Sequence, residues 1–325
     1  MAPLTRSWQR LGLVTLVLWP LSALFGAVVW LRRWSYQRGW LRTWRSPVPV
    51  IIVGNITAGG SGKTPLVLWL AHHLQDLGYH PGLISRGYRA RQTDWPQLVS
   101  ANSDPYQFGD EPVLLAQQSG CPVCIGPDRP AAVRTLLAAH SCDIILSDDG
   151  LQHYALARDI EIAVIGAQGL GNRCLLPAGP LREPASRLHQ VDLVIHNHPT
   201  RTGYQIDWGK PVMSRVPTQA AVSQPLTRFR GQSVHAVAGI AYPEHFFALL
   251  RTHGLVLKTH AFPDHHLYTP DDLQFSPPLP ILMTRKDAVK CQHYALSDAW
   301  VVDLEPQPDA TFIAALHRLL ESYAG

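Results

Sequence analysis

The residue types between Val53 and Pro65, VGNITAGGSGKTP, are those of a phosphate-binding loop. Glycines allow backbone N–H groups to close around phosphate oxygens, a lysine adds a positive charge, and a threonine hydroxyl can hold Mg²⁺. The β-branched run before the loop predicts a strand, and the stretch after it predicts a helix over Lys63–Leu77. That helix would direct the positive end of its dipole at the same anion. We therefore predict a nucleotide site formed by Thr57, Gly59, Gly60, Ser61, Gly62, Lys63 and Thr64.

One position of this loop departs from the common pattern G-x-x-x-x-G-K-[ST]. Thr57 occupies the place of the first glycine. The order of strand, glycines and helix still favours nucleotide binding over a chance Gly-Lys-Thr match.

A pair of aspartates follows a second apolar run in CDIILSDDGLQH, residues 142–153. A carboxylate at the C-terminal end of a parallel strand faces the nucleotide crevice and can hold Mg²⁺ directly or through water. We therefore predict that Asp148 and Asp149 bind the metal together with Thr64. By itself, a strand that ends in two aspartates is also compatible with an ordinary turn.

Four further segments carry polar side chains at positions that suit a site. Asp110 begins a predicted helix and is compatible with a simple N-terminal cap. His265 and His266 follow a predicted strand, where they are compatible with a surface loop. Arg182 is presented by a proline-rich loop as a phosphate contact, and Arg86 and Tyr88 end a strand on the crevice side.

The stretch Leu11–Leu31 contains no charged residue. Its length of about 20 residues matches a helix that spans a bilayer. Tryptophans and arginines cluster at its far end, as interfacial anchors do, and the larger positive flank there predicts that the body of the protein is cytoplasmic. The alternatives are a buried helix or a monotopic hairpin broken at Pro20. The clustered residues are Trp30, Arg32, Arg33, Trp34, Arg38, Trp40, Arg42 and Arg45.

Bulk composition narrows the possible partners. The chain has 325 residues and a net charge of +4, a mildly basic balance that gives no reason to predict a nucleic-acid partner. No obligate protein partner is predicted. The five cysteines are odd in number and scattered, which argues against a disulfide framework. Cys121 and Cys124 have the spacing of a redox or zinc motif, but no second pair follows them. The better interpretation is that they are two small apolar residues beside a buried strand.

Short apolar runs alternate with amphipathic stretches from about residue 47, which predicts βα units and a parallel sheet. A polar, proline-punctuated stretch near residues 210–230 suggests a boundary, after which a second alternating set begins. The predicted fold class is α/β: a P-loop NTPase-like parallel sheet flanked by helices, a smaller α/β lobe and an N-terminal membrane helix. The predicted divisions are an anchor with its basic and aromatic flank at 1–46, a P-loop core at 47–230 and the smaller lobe at 231–325.

Together these segments resemble one family, the tetraacyldisaccharide 4′-kinases that phosphorylate the lipid A precursor in Gram-negative bacteria. The resemblance covers nearly the whole chain. The loop of this family also lacks the early glycine, so Thr57 agrees with the resemblance. It rests on the ordered set VGNITAGGSGKTP, SRGYRA, GDEP, SDDGLQH, LLPAGPLREP, FPDHH and MTRKDAVKC.

The resemblance implies roles for these segments. Lys63 and Thr64 would bind the phosphates of ATP and Mg²⁺, and Asp148 and Asp149 would manage the metal. Asp110 would act with the histidine of F-x-D-H, which favours His265 over His266, to activate the sugar hydroxyl. The remaining implied site residues are Tyr88, near the lipid, Gln152, near the metal, and Arg182 and Glu183 of the LREP segment. Moving an acylated sugar out of a bilayer costs about 0.8 kcal/mol per buried CH₂. The resemblance therefore implies an enzyme that acts at the bacterial inner membrane.

Two rival interpretations remain at this point. A membrane-anchored P-loop ATPase would need no lipid acceptor, but many such proteins carry an early lysine where this chain has Ala58. A GTP-binding switch is suggested only by Thr284-Arg285-Lys286-Asp287, in which lysine and aspartate are adjacent rather than spaced as in T-K-x-D. That match is either chance or part of the segment MTRKDAVKC.

Overall fold

The structure is a computed structural model that describes residues 7–88, 90–91, 93–198, 203–208, 211–216, 224–294, 296, 298–303 and 305–323. Its helices are α1 Leu13–Gln37, α2 Lys63–Asp76, α3 Pro105–Phe108, α4 Asp110–Ser119, α5 Arg129–Ala139, α6 Pro243–Thr252, α7 Arg285–Lys290 and α8 Ala310–Glu321. Short 3₁₀ turns occupy Ala185–Gln190, Leu226–Phe229 and Pro270–Leu273.

The strands form two sheets. They are β1 Val50–Gly54, β2 Pro81–Ser85, β3 Gln97–Val99, β4 Val123–Ile125, β5 Ile144–Asp148, β6 Ile160–Ile165, β7 Leu193–His196, β8 Tyr204–Trp208, β9 Val212–Arg215, β10 Gln224–Pro225, β11 Ser233–Ala238, β12 Val256–Ala261, β13 Ile281–Thr284, β14 Ala299–Asp303 and β15 Pro306–Pro308. The larger sheet has the order β15-β8-β7-β6-β1-β5-β2-β4-β3, and the smaller has the order β10-β9-β14-β13-β11-β12.

The larger sheet is parallel except at its two edges, where β3 and β15 pair antiparallel. Its central strand β1 is fully buried, as expected for a strand covered by helices on both faces. Ile51 and Val53 pack in one apolar cluster with α2, and Val50 and Ile52 pack in a second cluster with α5. Alternate residues of one strand therefore fill two cores, and this holds the end of β1 rigidly at the phosphate loop.

The smaller sheet is parallel from β12 through β14 and antiparallel where β9 and β10 join it. Its strand distribution differs from the predicted division at residue 230. Strands β9 and β10 precede that residue but lie in the smaller sheet, whereas β15 and α8 follow it but pack on the larger one. The chain thus returns to its first lobe at the end, and part of the predicted boundary segment (217–223) lies outside the described residues.

The predicted parallel sheet and its flanking helices are confirmed. The apolar runs at residues 50–54, 81–85, 160–165 and 256–261 predict strands, and β1, β2, β6 and β12 have these bounds. The other predicted strands and helices differ from the observed ones by one or two residues at their ends. The short antiparallel strands and the short helices α3 and α7 were not predicted. Their sequences carry little periodicity, and tertiary contacts decide their conformation.

Helix α1 continues through Pro20 without a break and, among the described residues, is the one helix long and apolar enough to cross a membrane. Polar contacts join it to the body of the protein. Ser22 Oγ donates to the Leu175 carbonyl at 2.8 Å and accepts from the Ala178 N–H at 2.9 Å. Asn172 Nδ2 donates to Thr15 Oγ1 at 3.3 Å. One face of α1 is therefore docked, while Leu13, Leu16 and other large apolar side chains remain exposed.

A buried carboxylate organises the smaller lobe. Asp287 is fully buried and accepts from the Gly239 N–H at 3.1 Å, Tyr268 OH at 3.0 Å and Lys290 Nζ at 2.9 Å. It also accepts from Thr284 Oγ1 at 2.6 Å. Asp287 therefore links the ends of β11 and β13 to the segment between β12 and β13.

We predict that Asp287→Ala lowers the free energy of unfolding of the smaller lobe by about 3–5 kcal/mol, because it leaves the Lys290 ammonium buried and unpaired. Urea denaturation followed by tryptophan fluorescence, in detergent, measures the change. Asp271→Ala is the matched control, since Asp271 is exposed, and it should cost less than about 0.5 kcal/mol. Equal stability of the two variants would contradict the role given to Asp287.

Candidate functional site

The phosphate loop has the backbone that its glycines predict. Gly62 caps α2 with φ +81°, and a Cβ there would lie 2.1 Å from Asn197 Nδ2. Glycine suits this position, because any other residue would be strained at this φ and would have to displace the Asn197 amide. Lys63 Nζ lies 3.1 Å from Asp149 Oδ1 and 3.2 Å from Asn55 Oδ1, so its charge is held at the loop.

The conformation around Thr57 explains why the first glycine of the common pattern is absent. Thr57 pairs antiparallel with Leu181 of the LREP segment. The Ala58 N–H donates to the Pro180 carbonyl at 2.7 Å, and the Arg182 N–H donates to the Ile56 carbonyl at 2.7 Å. These residues form a short strand-like pairing, which a β-branched threonine suits better than glycine.

The two aspartates at the end of β5 have opposite electrostatic environments. Asp149 lies between Lys63 and Arg182, whose Nη1 is 3.1 Å from Asp149 Oδ2. Burial opposes ionisation of Asp149, but these two cations hold its pKa below the usual range. Asp149 also has φ +51°, a conformation that costs a non-glycine residue about 1–3 kcal/mol.

Asp148 is 2 % exposed, and its Oδ1 has no hydrogen-bond partner among the described residues. Burial, followed by the nearby Glu111 carboxylate, raises the pKa of Asp148 to about 7. A buried carboxylate oxygen without a partner is a fitting ligand for a hard divalent cation. The described residues contain no cluster of three histidine, cysteine or acidic side chains that would form a complete protein cage.

Asp110 and His265 meet across the two lobes. His265 Nδ1 lies 2.9 Å from each carboxylate oxygen of Asp110. Burial opposes ionisation of Asp110, but the bond to His265 and the charge of Lys286 hold its pKa below the usual range. His265 has φ +61°, and its backbone N–H donates to the Gly239 carbonyl at 3.2 Å.

The adjacent histidine is directed elsewhere. His266 Nε2 lies 3.2 Å from Asp272 Oδ2, and its ring stacks on Phe262. The geometry therefore brings His265, and not His266, to Asp110, in agreement with the choice that the F-x-D-H pattern favours.

A cavity of about 1630 Å³ joins these groups. Typical small-molecule sites occupy about 300–1,000 Å³, so this cavity has room for two ligands. Its wall includes the phosphate loop, both aspartates and His265, but Asp110 lies behind His265 and does not line it. Side chains of α1 form another part of the wall: Phe25, Val28, Val29 and Arg32.

The remaining predicted site residues have different surroundings. Arg86 and Tyr88 line the cavity, and the Tyr88 ring packs edge-on against His265 with centroids 5.5 Å apart. Gln152 donates to the Asn55 carbonyl at 3.1 Å. Glu183 is 1 % exposed and lines the cavity; its Oε2 accepts from Tyr154 OH at 2.7 Å, and its Oε1 has no hydrogen-bond partner among the described residues. Arg89, of the SRGYRA segment, lies outside the described residues.

Sequence reasoning missed several residues of this site. Arg129 is 1 % exposed and donates to the Gly126 carbonyl at 2.7 Å and the Asp148 carbonyl at 3.2 Å. Burial lowers the pKa of Arg129 to about 10 and that of His153 to about 3. Lys286 lies in the segment MTRKDAVKC, and the place of that segment in the ordered set of motifs is the one signal in the sequence that points to it.

Comparison with known proteins tests the family resemblance. The family model described as tetraacyldisaccharide-1-P 4′-kinase matches residues 14–321. A tetraacyldisaccharide 4′-kinase of Alkalilimnicola ehrlichii is 50 % identical over 294 residues, covering 89 % of this chain and 88 % of the relative. One of Nitrosococcus oceani is 48 % identical over 309 residues, covering 95 % and 91 % of the two chains.

A solved structure matches as well. The crystal structure of "apo" form LpxK from Aquifex aeolicus in complex with ATP superposes with a TM-score of 0.81 at 26 % identity, covering 94 % of this chain and 99 % of that one. Sequence and fold thus lead to the same assignment over nearly the entire length. This chain belongs to the tetraacyldisaccharide 4′-kinase family, a family of phosphotransferases of lipid A biosynthesis.

Proposed function

We propose that this enzyme transfers the γ-phosphate of ATP to the 4′-hydroxyl of a tetraacyldisaccharide 1-phosphate at the cytoplasmic face of the bacterial inner membrane. The observation that carries the proposal is the single cavity that the phosphate loop, His265 and helix α1 share. A phosphate donor site, a proton acceptor and a membrane helix have a common wall there. A membrane-anchored ATPase without a lipid acceptor also has a donor site and an anchor, but its reaction does not require the two to share one cavity.

The phosphate loop would bind the donor. Phosphoryl transfer depends mainly on positioning and on neutralisation of the phosphate charge. The Lys63 ammonium and the N-terminal end of α2 supply positive charge at the loop, and Arg182 adds a guanidinium from the facing segment. The neighbouring LpxK structure holds ATP, which supports the same ligand here.

Thr64, Asp148 and Asp149 would hold Mg²⁺. The unpartnered Oδ1 of Asp148 and the acidic pair at the end of β5 fit a hard cation with oxygen ligands. When bound, Mg²⁺ would neutralise charge on the phosphate oxygens. Asp149 is already oriented by Lys63 and Arg182, so this chain fixes one carboxylate before the cation arrives.

The Asp110–His265 pair would take the proton of the acceptor hydroxyl. His265 lines the cavity and Asp110 lies behind it, so the hydroxyl meets the imidazole while the carboxylate orients the ring. The O–H bond of the acceptor breaks as its oxygen bonds to the γ-phosphorus, ADP leaves with the bridging oxygen, and the proton passes to the pair. The general physics of such proton transfer contributes about 10²–10⁴-fold to a rate.

Helix α1 would place the cavity at the lipid. Its exposed apolar side chains suit the bilayer, and its arginine–tryptophan flank suits anionic headgroups. Phe25, Val28 and Val29 line the cavity directly, so acyl chains can pass from the bilayer to the site along one apolar surface.

The decisive assay uses ATP labelled at the γ-phosphate and a tetraacyldisaccharide 1-phosphate in mixed micelles. Chromatography of the lipid should show transfer of the label to it. Label found in free phosphate alone would support the ATPase instead.

We predict that Asp110→Asn and His265→Gln each lower kcat by about 10²–10⁴-fold, because each removes part of the proton acceptor. Their affinity for ATP should stay near that of the wild type, whereas Lys63→Ala should weaken ATP binding. Initial rates and nucleotide titration measure both quantities.

His266→Gln is the matched control for His265→Gln, since His266 contacts Asp272 rather than Asp110. It should keep near-normal turnover. A loss of ATP affinity in the Asp110 and His265 variants would refute their assignment to the acceptor side.

We predict that Asp148→Asn stabilises the ligand-free protein in EDTA, and that the gain in Tm grows between pH 5 and pH 8. The pKa of Asp148 is about 7 in the folded chain, against about 3.9 in an unfolded one. Between these values the folded state holds a proton that the unfolded state releases, so wild-type stability falls as pH rises. Thermal denaturation at each pH measures the gain in Tm, and the exposed Asp271→Asn is the control. A gain in Tm that does not change with pH would contradict the prediction.

A further inference from the structure

One lysine joins the acidic residues of both lobes beside His265. Lys286, in the first turn of α7, has a side chain that is 18 % exposed. Its Nζ lies 3.0 Å from Glu111 Oε1 and 3.3 Å from Asp264 Oδ1. It also lies 3.2 Å from His265 Nε2.

The donors and acceptors of these contacts determine the proton positions. An ammonium group has three N–H donors and no acceptor, so His265 Nε2 must accept from Lys286 with its lone pair. The ring proton of a neutral His265 is then on Nδ1, which donates to Asp110 at 2.9 Å. Both ring nitrogens are thereby assigned by their partners.

We propose that Lys286 is a positioning residue that holds His265 as the neutral Nδ1–H tautomer, with the Nε2 lone pair turned toward the cavity. This inference rests on the proposed function, because it concerns the proton acceptor of that reaction. Lys286 acts through His265 and needs no contact with the reacting atoms for this role.

The charges that face His265 support the proposal. Asp110 and Asp264 attract a proton to the ring, and the Lys286 ammonium opposes it. The Tyr88 ring packs against the remaining side. Burial disfavours the Lys286 ammonium, but Glu111, Asp110 and Asp264 hold its pKa above the usual range, so Lys286 stays charged at any working pH.

This arrangement gives the proton of the acceptor hydroxyl a direct path to His265. The acceptor hydroxyl replaces Lys286 as the partner of Nε2, while Lys286 keeps its bonds to Glu111 and Asp264. The hydroxyl proton then passes to Nε2. Because Glu111 lies in the larger lobe and Lys286 in the smaller one, the same lysine keeps the two lobes in register during this step.

Lys286→Met tests the proposal through the pH dependence of kcat. Loss of the cation leaves the carboxylates to favour the imidazolium, so the acid limb of the kcat profile should move up by about one pH unit. At any one pH on the acid limb, kcat should therefore fall about tenfold, while the KM for ATP changes less than about twofold. Lys286→Arg, which keeps the charge, should leave the limb in place. The exposed Lys258→Met is the control for the loss of a lysine and should match the wild type.

A second readout does not depend on the lipid substrate. Histidine ¹⁵N resonances of the ligand-free, full-length enzyme in micelles, assigned with His265→Gln, should show an unprotonated Nε2 at pH 7.5. The same ring should titrate about one unit higher in Lys286→Met.

A proton on Nε2 in the wild type, or an unchanged titration in Lys286→Met, overturns the inference. A wild-type enzyme that shows the expected resonances but transfers no label to lipid would overturn the proposed function alone. The two failures are thereby distinguishable.

Discussion

The contact between Asp110 and His265 is the constraint on which the rest of the structure depends. Its two partners come from different sheets, so it forms only when both lobes are folded and correctly placed. The larger lobe begins α4 at Asp110, after Gly109 with φ +89°, where a Cβ would lie 2.9 Å from the Tyr88 carbonyl. The smaller lobe holds His265 at positive φ through the Gly239 carbonyl, and Asp287 fixes Gly239 in turn. The larger lobe thus uses a glycine for a backbone conformation that other residues avoid, and the smaller lobe holds His265 in one that costs a non-glycine residue about 1–3 kcal/mol.

One segment connects helix α1 to the phosphate loop. The segment LLPAGPLREP contacts α1 through the Leu175 carbonyl and the Ala178 N–H, and it contacts the phosphate loop through the Pro180 carbonyl and the Arg182 N–H. Its prolines have no N–H to satisfy, which suits a segment whose partners are two separate elements. The position of α1 and the conformation of the phosphate loop are therefore linked through a few hydrogen bonds. A displacement of α1 would therefore be transmitted to the phosphate loop through this segment.

Much of the fold and of the donor side could be predicted from the sequence because the signals are local. A buried parallel strand appears as an apolar run, and Val50–Gly54 and Ile160–Ile165 match the structure at both ends. Gly62 and Lys63 stand where a phosphate loop needs those residue types, in that order. The edge strands and the return of β15 to the larger sheet could not be predicted from the sequence, because a three-residue strand is defined by its partner rather than by its own periodicity.

The sequence by itself therefore determined the alternation of strands and helices, the phosphate loop, the acidic pair at the end of β5 and the apolar length of α1. The tertiary structure alone decided which histidine faces Asp110, why Thr57 replaces a glycine, and that Lys286 belongs to the site. The physical reason is distance along the chain. Local sequence specifies backbone conformation, whereas the pairing of Asp110 with a residue 155 positions away depends on how two sheets pack. Charges that far apart in sequence become neighbours only after both cores are buried.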